Sequence, residues 1–226
     1  MELWHVLNRG VDGRDLFMDD HDRVRFVHDL YEFNDAAPAN PNISYFFKSM
    51  DIVSPYIKTR ERKCLVDIHG WCLMKNHYHL LLSERVEGGL SLFLRKLNVG
   101  YAKSFNEKYR RAGTLFQGRT KKILIERDAH FLYILHYLHF NPLDYLAGAE
   151  EWRVRNKNSI SSTDDALKYL DSYRWSSYLD YVGQKNFPSI LKDSFFKDAL
   201  GDIATATREY LRDTEPDTAC AKLALE

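Results

Sequence analysis

Cysteine is scarce in this chain of 226 residues: there are three, Cys64, Cys72 and Cys220. No two of them have CxxC spacing and the number is odd, so the sequence suggests neither a disulfide framework nor a cysteine zinc site. A reducing, cytoplasmic setting is the expectation. Long apolar runs are missing as well. No window approaches the roughly 18 apolar residues of a membrane helix, so no membrane partner is expected, and the opening MELWHVLNRG is too short in its apolar run for a secretory signal. Net charge is absent: 32 Lys and Arg stand against 32 Asp and Glu. That balance argues against nucleic-acid binding by overall charge but leaves room for a local patch. What is present is an ordinary globular composition, 45% apolar and 28% charged, with a rich aromatic share of 14%.

The stretch with the most chemistry is residues 68–83, IHGWCLMKNHYHLLLS. It reads as two strands of a hairpin, or as one strand kinked at Lys75 and Asn76. Successive side chains on a strand alternate between faces, so His77, His79 and Leu81 share one face and Tyr78, Leu80 and Leu82 the other. Two imidazoles two residues apart on a strand can chelate one divalent cation; the plainer reading is a polar pair on a half-solvated sheet.

Around this stretch the pattern predicts a first strand at residues 4–8 and a helix from Asp19 or Asp20 to about residue 34, with Val24, Val27, Leu30 and Tyr31 as its stripe. A long helix begins near Ser91, with Leu90, Phe93, Leu94, Leu97, Tyr101 and Phe105 at three-four spacing and Gly100 as a kink or a close-packing point. A strand is expected at residues 121–125. A helix capped by Asp128 should run over residues 129–140 and end before Pro142. Residues 35–63 and 150–172 read as inserted segments. Residues 173–178 should dock on the domain, and residues 195–213 form a last helix.

On the helix before Pro142, Tyr133, Tyr137 and Asn141 lie four apart and share a flank. A tyrosine hydroxyl and an asparagine amide at that spacing can both face the histidine pair. The alternative is a core tyrosine and a helix C-cap. Basic residues are concentrated between positions 95 and 122: Arg95, Lys96, Lys103, Lys108, Arg110, Arg111, Arg119, Lys121 and Lys122 against one acid, Glu107. Tyr101, Phe105, Tyr109 and Phe116 are interleaved with them. Cations with stacking aromatics suit single-stranded nucleic acid; a solvated helix face is the alternative.

Five segments together, HVLNRG (5–10), CLMKNHYHLLL (72–82), GYAKSFNEKYRRAGTLFQGR (100–119), YLHFNPL (137–143) and WSSY (175–178), resemble the single-tyrosine HUH transposases, and among them the REP-associated tyrosine transposases. The resemblance implies an α+β fold of the ferredoxin-like or RRM-like kind, an antiparallel sheet with helices packed on it. It implies a catalytic domain over residues 1–148, with a C-terminal extension beyond. His77 and His79 would bind Mg²⁺ or Mn²⁺, with Asn141 as third ligand or orienting group, and Tyr137 would be the nucleophile. Tyr101 is the competing tyrosine. The implied substrate is single-stranded DNA carrying a hairpin, cut and rejoined through a 5′-phosphotyrosine. DNA contacts are expected from Arg95, Lys103, Arg110, Arg111, Gln117, Arg119, Lys121 and Lys122, and a homodimer is left open. Two other readings stand beside it: a hairpin-binding regulator without catalysis, and a metal-dependent nuclease that uses water, for which Glu84 and Glu87 are the nearest downstream acids.

Overall fold

The computed structural model describes residues 1–38, 62–146 and 163–213. Residues 39–61 of the first predicted insertion and residues 150–162 of the second fall outside them. Strand β1 (Leu3–Arg9) leads through a short 3-10 turn to helix α1 (Asp20–Glu32), which opens on Asp19, whose carboxylate accepts from the Asp22 amide at 3.0 Å. Strands β2 (Val66–Leu73) and β3 (His77–Glu84) form the expected hairpin around Lys75 and Asn76. Helix α2 (Gly89–Lys108) and strand β4 (Lys121–Leu124) follow. The order across the sheet is β2-β3-β1-β4 with every neighbour antiparallel. Read from β4, this is the 4-1-3-2 arrangement of a ferredoxin-like βαββαβ core, so the α+β expectation holds.

The two faces of the sheet are buried differently. Tyr78, Leu80 and Leu82 of β3 join Val6, Phe26, Leu30, Phe93 and Leu97 in the larger core, beneath α1 and α2. The other face receives α3 (Asp128–Phe140), whose Ile134, Leu135 and Leu138 pack with Leu3, Cys72 and Leu81. This is the helix that carries Tyr137. Gly100 is a close-packing point: a Cβ there would sit 2.3 Å from the Phe33 ring at the end of α1.

Four expectations need correction. Asp128 is the first residue of α3, and the N-cap position belongs to Arg127. Helix α3 does end at Phe140, before Pro142, but not through an extended residue: Asn141 keeps φ −49 and ψ −40, and a 3-10 turn (Asn141–Tyr145) carries the chain through the proline, which lacks only an N–H that a first turn leaves unused. Within residues 150–172, expected to be an inserted loop, a helix α4 (Thr163–Ser172) forms, burying Ala166 and Leu170. The last helix is two, α6 (Ser194–Leu200) and α7 (Ile203–Asp213), because Gly201 adopts φ 68, ψ −131, outside any helix.

Residues 173–178 dock as expected. The Leu73 amide donates to the Trp175 carbonyl and the Ser177 amide to the Trp71 carbonyl, both at 2.9 Å, so this segment extends the sheet beyond β2. The short helix α5 (Tyr178–Tyr181) follows directly.

Candidate active site

Strand alternation groups His77 and His79 with Leu81, and the packing of Leu81 against α3 shows that theirs is the α3 face; the structure brings their rings to 5.0 Å, nearly perpendicular at 81°. Each is oriented by a neighbour. The Asn76 side-chain oxygen lies 2.7 Å from His77 Nδ1, so Nδ1 donates to it, which in the neutral imidazole leaves the lone pair on Nε2. His79 is fully buried, and its Nδ1 lies 2.9 Å from Nε2 of His5. His5 belongs to β1. The register pairs it with Leu81, which puts it diagonally across from His79 on the same face, and the two ring planes are nearly parallel, 14° apart, with centroids at 5.2 Å.

Helix α3 sets Tyr137 against this row. Its ring centroid is 5.7 Å from that of His5 and 5.9 Å from that of His79, both edge-to-face. The sequence pairing of Tyr137 with the histidines is therefore realised in space. Asn141 does what a helix-end asparagine does: its amide nitrogen donates to the Tyr137 carbonyl at 2.9 Å and more weakly to that of Leu138 at 3.4 Å. Tyr101 is not brought to the histidines. It lies under the opposite face among Phe17, Phe26 and Tyr78, and its hydroxyl donates to the Leu16 carbonyl at 2.5 Å. Burial, reinforced by Asp22 and Asp29, pushes that hydroxyl well above the ordinary tyrosine pKa, the wrong direction for a nucleophile.

Among the described residues no three His, Cys, Asp or Glu form a metal-binding cluster. The imidazoles of His77 and His79 could hold a cation, with Asn141, outside that group of residue types, as the third candidate. That set fits a divalent ion which keeps most of its coordination sphere for phosphate oxygens and water. Imidazole suits softer metals than Mg²⁺.

The basic segment divides. Lys108 is tied to Asp19 at 2.8 Å and Asp22 at 2.7 Å, Lys96 holds the Asp35 and Ala37 carbonyls, and Arg111 donates to Asn106 and the Thr114 carbonyl. These three serve the fold. Others gather at the free edge of β4. The register sets Lys121 beside Leu7, hence on the histidine face, and Lys122 beside Val6, hence on the α2 side. Lys122 reaches Ser91 at 3.4 Å and Asn98 donates to Thr120 at 2.8 Å, so the flank of α2 that holds Arg95 lies along this edge. Arg95, Lys103, Arg110, Gln117, Arg119, Lys121 and Lys122 are all exposed.

Sequence reasoning missed two residues here. His5 and Arg9 lie on β1 in the same alternation as Leu3, so they share the histidine face. Arg9 stands directly opposite His77. The alternation was readable, but only the β1–β3 register shows which of the two faces His5 meets.

No family model and no curated protein matches the chain. Among solved structures, one described as a REP-associated tyrosine transposase bound to a REP hairpin is similar to this chain at 11% identity, over 83% of each chain, with a TM-score of 0.46. A likeness of that degree settles neither family nor activity, and the chemistry below comes from the chain's own residues.

Proposed function

We propose that this chain is a single-strand DNA endonuclease and strand transferase, a tyrosine transposase in its chemistry, acting on hairpin-bearing DNA. The observation that carries the reading is Tyr137 packed edge-on against His79 and His5, over the face that presents the His77–His79 pair. In the reaction the Tyr137 hydroxyl oxygen attacks a backbone phosphorus. The bond to the 3′ oxygen breaks, leaving a free 3′-OH and a phosphate ester between Tyr137 and the 5′ end. The tyrosine proton passes to solvent and the departing 3′ oxygen takes one up. Attack by a 3′-OH reverses the step, so rejoining needs no ATP. A divalent ion, Mg²⁺ or Mn²⁺, held by His77 and His79 would supply charge stabilisation at the phosphate oxygens, which an ordinary tyrosine with a pKa near 10 needs. The exposed cations along β4 and α2 would hold the flanking phosphates. One chain supplies both histidines and the tyrosine, so the chemistry requires no second copy.

A different observation favours the second reading, a hairpin-binding regulator. His79 is fully buried, and His77 and Tyr137 are only 7% and 8% exposed. A scissile phosphate reaches them only if α3 shifts or the DNA displaces a neighbour. Incubation with a hairpin oligonucleotide bearing a single-stranded flank, with Mn²⁺, separates the two: the endonuclease yields a covalent protein–DNA species, whereas the regulator yields only a complex that dissociates on denaturation.

A further inference from the structure

We infer that His5 is a positioning residue which fixes the ring proton of His79, and so determines whether His79 can act as a ligand at all. This rests on the metal reading above but concerns a residue outside the ligand set.

A neutral imidazole has one N–H and one lone pair. A ligand needs the lone pair at the nitrogen that meets the ion, so the other nitrogen must carry the proton and give it to an acceptor. His77 has that acceptor in the Asn76 oxygen, 2.7 Å from its Nδ1. The corresponding partner of His79 Nδ1 is Nε2 of His5, at 2.9 Å. Two imidazole nitrogens at that distance share one proton, and only one arrangement leaves His79 Nε2 with a lone pair: His79 Nδ1 donates, His5 Nε2 accepts, and the His5 proton sits on its Nδ1. The ring planes are 14° apart and the centroids 5.2 Å, so the two nitrogens meet edge to edge, nearly in the plane of both rings. His5 is fully buried on a central strand, where the register sets it opposite Leu81 of β3. Both ligands are thus oriented the same way, through Nδ1, by different residue types. His5 also touches the Tyr137 ring, so the same side chain stands between the tyrosine and His79 Nδ1 as a shared neighbour of both.

The test uses the full chain with His5→Leu, which removes the acceptor, and His5→Gln, which restores an acceptor oxygen. Nitrogen-15 NMR of the imidazoles without metal should show His79 as the Nδ1–H tautomer in the unaltered chain and in His5→Gln. It should show the Nε2–H form, the usual one for a free imidazole, in His5→Leu. Calorimetric titration with Mn²⁺ should show roughly 10- to 100-fold weaker binding in His5→Leu, recovered to within a few-fold in His5→Gln. An Nε2–H His79 in the unaltered chain overturns the inference whatever the metal does. So does unchanged Mn²⁺ affinity in His5→Leu alongside lost affinity in His79→Ala. Correct tautomers with no Mn²⁺ binding to the unaltered chain uphold the positioning and overturn the metal role in the proposed function.

Discussion

At the scale of single residues, the two tyrosines differ by which side of the sheet they occupy. Tyr101 is an anchor: its hydroxyl holds the Leu16 carbonyl inside the larger core. Tyr101→Phe should therefore lower unfolding free energy by about 1 kcal/mol, the ordinary worth of a buried hydrogen bond, and leave adduct formation intact; loss of the adduct with unchanged stability would reverse the assignment. His139 makes a second residue-scale prediction. It is fully buried, with its Nε2 2.9 Å from the Ser177 hydroxyl, and burial, aided by nearby His136, holds its pKa well below the usual 6.5. The unfolded chain takes up a proton near pH 6.5 that the folded chain refuses. Stability is therefore complete above that pH and falls as the pH drops below it, by up to about 1.4 kcal/mol per pH unit for this one group. Urea unfolding between pH 7.5 and 5 should show that decline, and His139→Gln should flatten it by about one proton.

At the scale of elements, what was legible in the sequence followed from local rules. The β2–β3 hairpin declared itself through alternation and the Lys75–Asn76 break, and α1 through the Asp19 cap and its stripe. The misses have equally local causes. Gly201, next to Asp202 and Ile203, looked continuous with two amphipathic turns, but its backbone is not helical. Helix α4 was hidden because only Ala166 and Leu170, four apart, mark its buried side amid Asp and Lys. The role of His5 was illegible because it depends on cross-strand register, which no spacing within one segment encodes. A prediction at this scale concerns the turn where β1 ends beside the site. Gly10 donates to the Asn76 carbonyl at 2.8 Å, and a Cβ there would lie 2.1 Å from the Arg14 carbonyl oxygen. That neighbour is backbone and cannot simply rotate away. Gly10→Ala should cost about 1–3 kcal/mol by forcing that loop from the hairpin tip that precedes His77, and thermal unfolding reads it.

At the scale of the whole molecule, a chain of zero net charge has arranged its cations in two populations. Lys96, Lys108 and Arg111 are bound within the fold, whereas Arg95, Lys121 and Lys122 border the free edge of β4. If single-stranded DNA follows that edge, replacing those three by Ala should flatten the dependence of log K on log salt by about 2 units, near 0.7 per phosphate contact released. Replacing Lys96 and Arg111 should leave the slope unchanged and act on stability instead. A slope indifferent to the edge cations would move the DNA path elsewhere.

The central claim, that Tyr137 and the His77–His79 pair form one reactive site, is tested most directly by a denaturing gel. The protein is incubated with a hairpin oligonucleotide labelled on the 3′ side of the expected cut, with Mn²⁺ or with chelator. The account predicts a labelled protein band in the unaltered chain with Mn²⁺, its loss in Tyr137→Phe and in His79→Ala, and hairpin binding by Tyr137→Phe within a few-fold of the unaltered chain. A labelled band that persists in Tyr137→Phe, or no band at all from a protein that binds the hairpin tightly in the presence of Mn²⁺, would contradict it.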